Sequence, residues 1–183
     1  MKYRIGLDLG GTKVLGVVTD SSFNVVHRKK HRLSNRADIL AVMDQIADVY
    51  RSLANNVSDS EIISVGIALP SPIDNKKGEA KQLTAFNQNN LPVRSLLKER
   101  ADIEVKLGND VNMATLAEYN FGAGKGVSSL FTFYPGTGLG GGYIYNEELI
   151  TGYNSTAAEV GHMIVDIDGP ICKCGCHGCL EAI

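Results

Sequence analysis

A glycine turn joins two strand-like runs near the start of the chain. Residues 3–9 and 13–19 are rich in apolar and β-branched side chains, and Gly10 and Gly11 lie between them. A third strand is predicted over residues 23–31, so the chain is expected to open with an antiparallel meander. Adjacent glycines leave backbone N–H groups free to point at an anion. This turn is therefore a candidate phosphate site.

The residues around these glycines strengthen that interpretation. Thr12 and Lys13 add a hydroxyl and a positive charge, and Asp8 is suited to a phosphate-bound Mg²⁺, usually through water. A plain hairpin turn is the alternative, because Gly-Gly pairs often form one. The local sequence leaves both interpretations open, and it excludes a Walker loop because no helix follows.

The same organisation recurs later in the chain. Strands predicted over residues 129–134 and 139–145 flank a second turn, and five of the seven residues 136–142 are glycine. This segment is not the dinucleotide fingerprint, because a strand rather than a helix follows it. A second phosphate-contacting turn is the interpretation we favour, and a flexible loop is the alternative.

Helices and strands are predicted to alternate between the two turns. Apolar residues recur at steps of three and four from Ile39 to Leu53, which indicates a helix, with Ser34 or Asn35 as its cap. The other predicted elements are a strand at 62–69, which the Pro-Ser-Pro sequence at 70–72 terminates, a helix at 91–100, a strand at 103–107 and a helix at 109–121. This alternation indicates an α/β fold.

Asn109 and Asp110 lie where a predicted strand ends and a predicted helix begins. Ligands gather at the carboxyl ends of strands in open α/β sheets. Helix capping is a strong alternative, because Asn and Asp commonly cap helices. Taken alone, this pair favours the capping role.

All four cysteines fall within eight residues, from Cys172 to Cys179. A disulfide framework would spread cysteines along the chain, whereas such bunching suits a metal site in a reducing compartment. Zn²⁺ takes thiolate and imidazole ligands, and four of them close a structural site. The candidates are Cys172, Cys174, Cys176, Cys179, His162 and His177.

Charge and hydropathy disfavour two classes of partner. The formal net charge is −2, so the chain has no basic excess for binding nucleic acid. No run of about 18 apolar residues predicts a membrane span. The first residues lead directly into a strand pattern without the features of a signal peptide, so a cytoplasmic location is expected.

Together, and in this order, the motifs resemble those of the ROK (repressor, open reading frame, kinase) family. The resemblance runs from Ile5 to the last residue. It implies the actin-like/hexokinase-like ATPase fold, an α/β fold with ribonuclease H-like domains. It implies an N-terminal domain over residues 1–118 with the first phosphate loop. The beginning of a C-terminal domain, with the second loop and a zinc motif, would follow over residues 119–183.

The resemblance also implies a role for each motif. Asp110 would be the catalytic base, and ATP with Mg²⁺ would bind at the two phosphate loops. The implied nucleotide-binding residues are Asp8, Gly10, Gly11, Thr12, Lys13, Thr137 and Gly138. The implied sugar contacts are Asn109, Glu159, His162 and Glu181.

The cysteine-rich tail resembles the zinc signature of the family, Cys-x-Cys-Gly-x-x-Gly-Cys-x-Glu. The ligands that this implies for a structural Zn²⁺ are Cys172, Cys174, Cys179 and His162. Cys176 and His177 are left as spacers. His162 would bind zinc through one ring nitrogen and face the sugar with the other. Metal ligation at the first nitrogen would fix the tautomer that the second presents.

The chain departs from the family pattern at two positions and in length. Ser71 lies between two prolines where the family often has glycine, and Ala158 precedes Glu159 where glycine is common. Family members continue well beyond the zinc signature, so we expect a fragment that is itself inactive and lacks the adenine contacts. The first phosphate loop begins eight residues from Met1, so we do not expect a preceding DNA-binding helix-turn-helix.

The function that the resemblance implies is ATP-dependent phosphorylation of a hexose or hexose derivative, as in a glucokinase. Glucose, mannose, fructose and N-acetylated hexosamines all remain candidate substrates. The expected partners are a small-molecule sugar and ATP, with no nucleic acid, no membrane and a homodimer when full length. The alternative is a non-catalytic sugar-binding sensor or regulator of the same family.

Overall fold

The computed structural model describes residues 1–57, 61–136 and 138–183. It divides into two compact units, Met1–Asp110 and Val111–Ile183. The domain boundary predicted from the sequence, after residue 118, stays a prediction.

Eleven strands, three α-helices and three single-turn 3₁₀ helices make up the described regular structure. The strands are β1 (Tyr3–Leu9), β2 (Lys13–Thr19), β3 (Val25–Arg32), β4 (Ile62–Leu69), β5 (Ile73–Asp74), β6 (Glu79–Leu83), β7 (Gln88–Leu91), β8 (Val105–Asn109), β9 (Leu130–Pro135), β10 (Leu139–Tyr145) and β11 (Glu148–Leu149). The helices are α1 (Ile39–Ala54), α2 (Val93–Ala101) and α3 (Asp110–Phe121).

The first unit is built on a five-stranded sheet with the order β3-β2-β1-β4-β8. The first three strands pair antiparallel, as the predicted meander requires, and β4 joins β1 and β8 in parallel. Because β1, β4 and β8 run in the same direction, the residues that follow them leave the sheet at one edge. That edge carries the first glycine turn and the Asn109–Asp110 pair.

Helix α1 covers one face of this sheet because its apolar stripe matches the helical period. Val42, Met43 and Ile46 are fully buried, and they pack in one core with Val14 and Val18 of β2. The predicted stripe is thus confirmed. Such burial of aliphatic side chains stabilises the fold by about 1.5–3 kcal/mol for each residue.

The structure corrects the predicted helix cap. The side chain of Asp38, not Ser34 or Asn35, accepts hydrogen bonds from the backbone N–H groups of Leu40 and Ala41. Asn35 instead adopts a left-handed backbone with φ of 47°. Ser34 is held by the Gln45 side chain, which accepts from its backbone N–H at 2.9 Å.

A small sheet of β5, β6 and β7 was not predicted. Its strands are short, and their polar sequences lack the alternation that identifies longer strands. This sheet leads from Ser71 to α2 within the first unit.

The second unit contains α3 from Val111 onward and the sheet β11-β10-β9. A tail with little regular structure follows over residues 150–183. The hydroxyls of Thr115 on α3 and Thr132 on β9 lie 2.5 Å apart and connect helix to sheet. Two isolated bridges, Ile164 with Cys179 and Ile171 with His177, fold the tail back on itself. Within the described residues, no helix is both long and apolar enough to cross a membrane.

Candidate functional site

The first glycine turn is tightly closed by backbone hydrogen bonds. The N–H of Gly10 donates to the Lys13 carbonyl at 2.9 Å, and the Thr12 carbonyl accepts from the Leu33 N–H at 3.0 Å. The turn is therefore fixed by the strands on either side and by the segment that follows β3.

Neither the backbone nor the local packing requires glycine at this turn. The φ angles of Gly10 and Gly11 lie outside the left-handed region. A Cβ at Gly10 would approach no heavy atom closer than the Lys13 carbonyl oxygen at 3.5 Å, and one at Gly11 would be 3.5 Å from the Ala85 Cβ. Both are ordinary contacts. The missing Cβ atoms leave the backbone open to a ligand, which favours the phosphate-loop interpretation over a plain hairpin.

Asp8 precedes this turn at the end of β1. Desolvation raises the pKa of its carboxyl above the ordinary value, and the positive charge of Lys13 lowers it in part. A carboxylate beside a cation and a glycine turn can hold a hydrated Mg²⁺ next to a phosphate. The observed surroundings fit the role that the resemblance implies.

Asn109 and Asp110 lie at the edge where β8 ends and α3 begins. The Asn109 side-chain amide donates to the Asp110 carboxylate at 3.1 Å and to the Ser71 carbonyl at 3.4 Å. The first bond orients the carboxylate, and the second ties the pair to the segment after β4. Ser71, which departs from the family pattern, is therefore in contact with a residue proposed to bind sugar.

The hydroxyl of Ser71 is used within the protein. It donates to the Pro72 carbonyl at 2.9 Å and accepts from the Gln82 N–H at 3.0 Å, and the residue is 2% exposed. Its side chain therefore fixes the connection between β4 and β6.

Glu181 holds the second glycine turn. Its carboxylate accepts from the Leu139 N–H at 3.3 Å, beside Gly138, and from the Cys172 thiol at 3.2 Å. The Cys172 hydrogen bond is the main cause that lowers the pKa of Glu181. Sequence analysis did not predict this link between turn and tail. Thr137, predicted to contact the nucleotide, lies outside the described residues.

Four side chains of the tail cluster at a candidate metal site. The ligand atoms of His162, Cys172, Cys174 and Cys179 all lie within 4.8 Å of one another. The Cys172 sulfur is 3.7 Å from His162 Nδ1, and the sulfurs of Cys174 and Cys179 are 3.6 Å apart. Tetrahedral ligands at about 2.3 Å from Zn²⁺ would be about 3.8 Å apart. The four residues therefore fit a closed tetrahedral ion site.

The thiols of this cluster differ in acidity. Hydrogen bonds from the Cys176 backbone and from the thiols of Cys172 and Cys179 lower the pKa of Cys174 to about 7. Desolvation is the main cause that raises the pKa of Cys179 to about 12. Because the thiolate is the metal ligand, the lower pKa favours the metal-binding form of Cys174 over that of Cys179.

The remaining tail candidates are placed differently. Cys176 is exposed and is not among the four clustered ligands, and His177 Nδ1 faces the Gly169 carbonyl at 3.2 Å. The other implied sugar contact, Glu159, is exposed and its carbonyl accepts from the His162 N–H at 3.1 Å. That bond forms the single helical turn that carries His162.

Comparisons with known proteins identify the family to which this fold and these motifs belong. The ROK family model matches residues 4–183. A glucokinase from Thermotoga maritima is 38% identical over an alignment of 185 positions, which covers 98% of this chain and 56% of that protein. A xylose repressor from Bacillus spizizenii is 30% identical over 98% of this chain and 47% of its own length.

A crystal structure supports the same assignment. A ROK family glucokinase from Streptomyces griseus in complex with glucose and AMPPNP superposes with a TM-score of 0.79 and 32% identity, covering 98% of this chain and 56% of that one. The chain therefore belongs to the ROK family and has the actin-like/hexokinase-like ATPase fold. It spans about half the length of the curated relatives that it matches.

Proposed function

We propose that the protein containing these residues phosphorylates a hexose or hexose derivative with ATP. The single observation that carries the proposal is the open glycine turn at Gly10 and Gly11, since neither the φ angles nor the described neighbours of these residues require glycine. The likeness to proteins described as glucokinases, one of them in complex with glucose and AMPPNP, supports the same reaction.

In the proposed reaction Asp110 accepts the proton of the sugar hydroxyl as that oxygen attacks the γ-phosphorus of ATP. The new oxygen–phosphorus bond forms as the bond to ADP breaks, in line with the attack. The Asn109 amide, 3.1 Å from the Asp110 carboxylate, orients the base and also contacts the sugar. Asp8 would hold Mg²⁺, usually through water, and the ion would neutralise charge at the phosphates.

The other proposed contacts keep the roles that the resemblance implied. Gly10, Gly11, Thr12 and Lys13 contact phosphate, as do Thr137 and Gly138 at the second turn. Glu159, His162 and Glu181 hold ring hydroxyls. A site that hydrogen-bonds hydroxyls discriminates between sugars because an unmatched buried polar group is costly.

We propose zinc as the ion of the tail. Three thiolates and one imidazole are the ligand set of a closed structural zinc site, and the four clustered side chains supply it. The ion would fix the tail that carries Glu181, and so the second turn that Glu181 holds.

A regulator without catalysis is a second candidate, and its support is the 30% identity to a xylose repressor. A sugar panel separates the two. The complete protein that contains these residues is incubated with MgATP and one sugar at a time, and ADP release is followed in a coupled assay. The kinase proposal expects one or a few sugars to raise ADP release strongly. Sugar binding without any sugar-dependent release of ADP would support the regulator instead.

A further inference from the structure

Arg36 lies beside the first glycine turn, although it is 25 residues away from Gly11 in sequence. The segment after β3 passes the turn, because the Leu33 N–H donates to the Thr12 carbonyl at 3.0 Å. The Arg36 guanidinium Nη2 is 3.9 Å from the position that a Cβ at Gly11 would occupy. The cation thus borders the space that the glycine leaves open.

The charge of Arg36 is available to a ligand. Within the part of the chain that the structure describes, the guanidinium is exposed and makes no hydrogen bond or ion pair. The nearest carboxylate in sequence, Asp38, is engaged by the backbone N–H groups of Leu40 and Ala41 at the start of α1. A guanidinium offers five N–H donors in a planar fork that matches phosphate oxygens.

An open depression of about 420 Å³ adjoins Arg36. Its described lining carries hydrogen-bonding side chains and no carboxylate; it consists of Arg36, Ala37, Thr84, Ala85, Phe86, Asn87 and Gln88. The amides of Asn87 and Gln88 and the Thr84 hydroxyl can donate to an anion. Ala85 also faces Gly11, so the depression and the glycine turn share a boundary.

We infer that Arg36 is a phosphate-binding residue, which contacts oxygens of the donor triphosphate beside the Gly10–Gly11 turn. The inference rests on the proposed function, since it names a further contact of the same nucleotide site. Lys13 already interacts with Asp8, and Arg36 adds a further positive charge beside Gly11. A bidentate contact of this kind fixes the direction of the phosphate as well as its charge.

The test compares Arg36→Gln and Arg36→Lys with the parent and with Arg28→Gln, an exposed arginine on the edge strand β3, in the complete protein. The readouts are KM for MgATP, KM for the preferred sugar and the inhibition constant of inorganic tripolyphosphate. We expect Arg36→Gln to raise KM for MgATP and the tripolyphosphate constant by about 10- to 100-fold, as for lost charge-assisted hydrogen bonds. The sugar KM should change less than about twofold, and Arg36→Lys should recover only part of the loss.

Each other outcome overturns the inference. Parent-like constants for Arg36→Gln, or an equal effect of Arg28→Gln, would make Arg36 an ordinary surface cation. A raised KM for MgATP with an unchanged tripolyphosphate constant would place Arg36 against another part of the nucleotide. If the parent shows no sugar-dependent turnover, the proposed function fails, and the inference falls with it. Far-ultraviolet circular dichroism of each variant confirms that the exposed substitution leaves the fold intact.

Discussion

Asp110 begins α3, and the neighbouring Asn109 orients its carboxylate. The Asn109 amide donates to its carboxylate at 3.1 Å while also reaching the Ser71 carbonyl. This support suits the base that we propose, whereas a simple helix cap does not need it.

Replacing Asp110 by Asn tests that role. The variant keeps the size and much of the hydrogen bonding of the residue but cannot accept the proton. We expect turnover to fall by about 10²–10⁴ while sugar affinity stays close to that of the parent, as for loss of a general base. Steady-state kinetics with calorimetric sugar binding give both numbers, and an unchanged turnover would leave Asp110 as a helix cap only.

Gly11 offers a second test at the scale of one residue. Its φ is not left-handed, and a Cβ would make only ordinary contacts, the closest at 3.5 Å. Gly11→Ala should therefore fold with a free energy of unfolding within about 1 kcal/mol of the parent. It should nevertheless weaken MgATP binding, because the added methyl group occupies the space in which the phosphate would contact the backbone. A strongly destabilised variant, or one with parent-like KM for MgATP, would contradict this account.

Ala158 departs from the family pattern at a position where the backbone favours glycine. Its φ is 63°, which costs a side-chain-bearing residue energy. Ala158→Gly should raise the free energy of unfolding by about 0.5–1 kcal/mol, since strain relief exceeds the added freedom of the unfolded chain. The neighbouring Ala157→Gly, where φ is not positive, should lower it instead, and denaturant titrations that show the same sign for both would refute the explanation.

At the scale of elements, the tail depends on side chains rather than on regular structure. It contains two isolated bridges and single helical turns, so its ordering needs another source of energy. Four clustered ligands can provide that energy, because metal binding in such sites is coupled to folding.

Metal content and two matched serine variants test whether metal binding orders the tail. Protein purified without added metal should carry one zinc ion per chain by elemental analysis. Cys174→Ser should lose the ion and unfold the tail, whereas Cys176→Ser, outside the cluster, should retain it and alter stability by no more than about 0.5 kcal/mol. Equal zinc loss in both variants, or a metal-free parent with an ordered tail, would rule out the proposed ligand set.

Sequence alone predicted the elements that follow a clear physical pattern. The bounds of β1, β2, β4 and β10 match the predictions because apolar runs and glycine or proline turns delimit them. The small sheet of β5, β6 and β7 was missed because its strands are short and their polar sequences lack the alternation that identifies a strand. The cap at Asp38 was misplaced because several polar residues in a row can each cap a helix.

The candidate site was predictable in part. The glycine turns and the cysteine cluster are local in sequence, so the sequence alone identified them as candidate sites. The choice of His162 over His177 came from the resemblance, since spacing alone left both open. Arg36 and the link from Glu181 to Leu139 became visible only in the fold, because each joins segments far apart in the chain.

At the scale of the whole molecule, the chain contributes two compact units to a protein of the ROK family. The residues proposed to act are distributed over both units, with the base and first turn in one and the second turn and metal site in the other. Because the chain spans about half the length of its curated relatives, the activity is a property to be tested in the complete protein. The inactivity expected for residues 1–183 alone stays a prediction.

The most direct measurement follows the phosphoryl group itself. The complete protein is incubated with MgATP and the preferred hexose, and phosphorus nuclear magnetic resonance records ADP, inorganic phosphate and any sugar phosphate formed. The account predicts a hexose phosphate that appears in step with ADP, with little inorganic phosphate, because the attacking nucleophile is the sugar hydroxyl activated by Asp110. Release of inorganic phosphate without hexose phosphate, or hexose binding with no change in ATP, would contradict it.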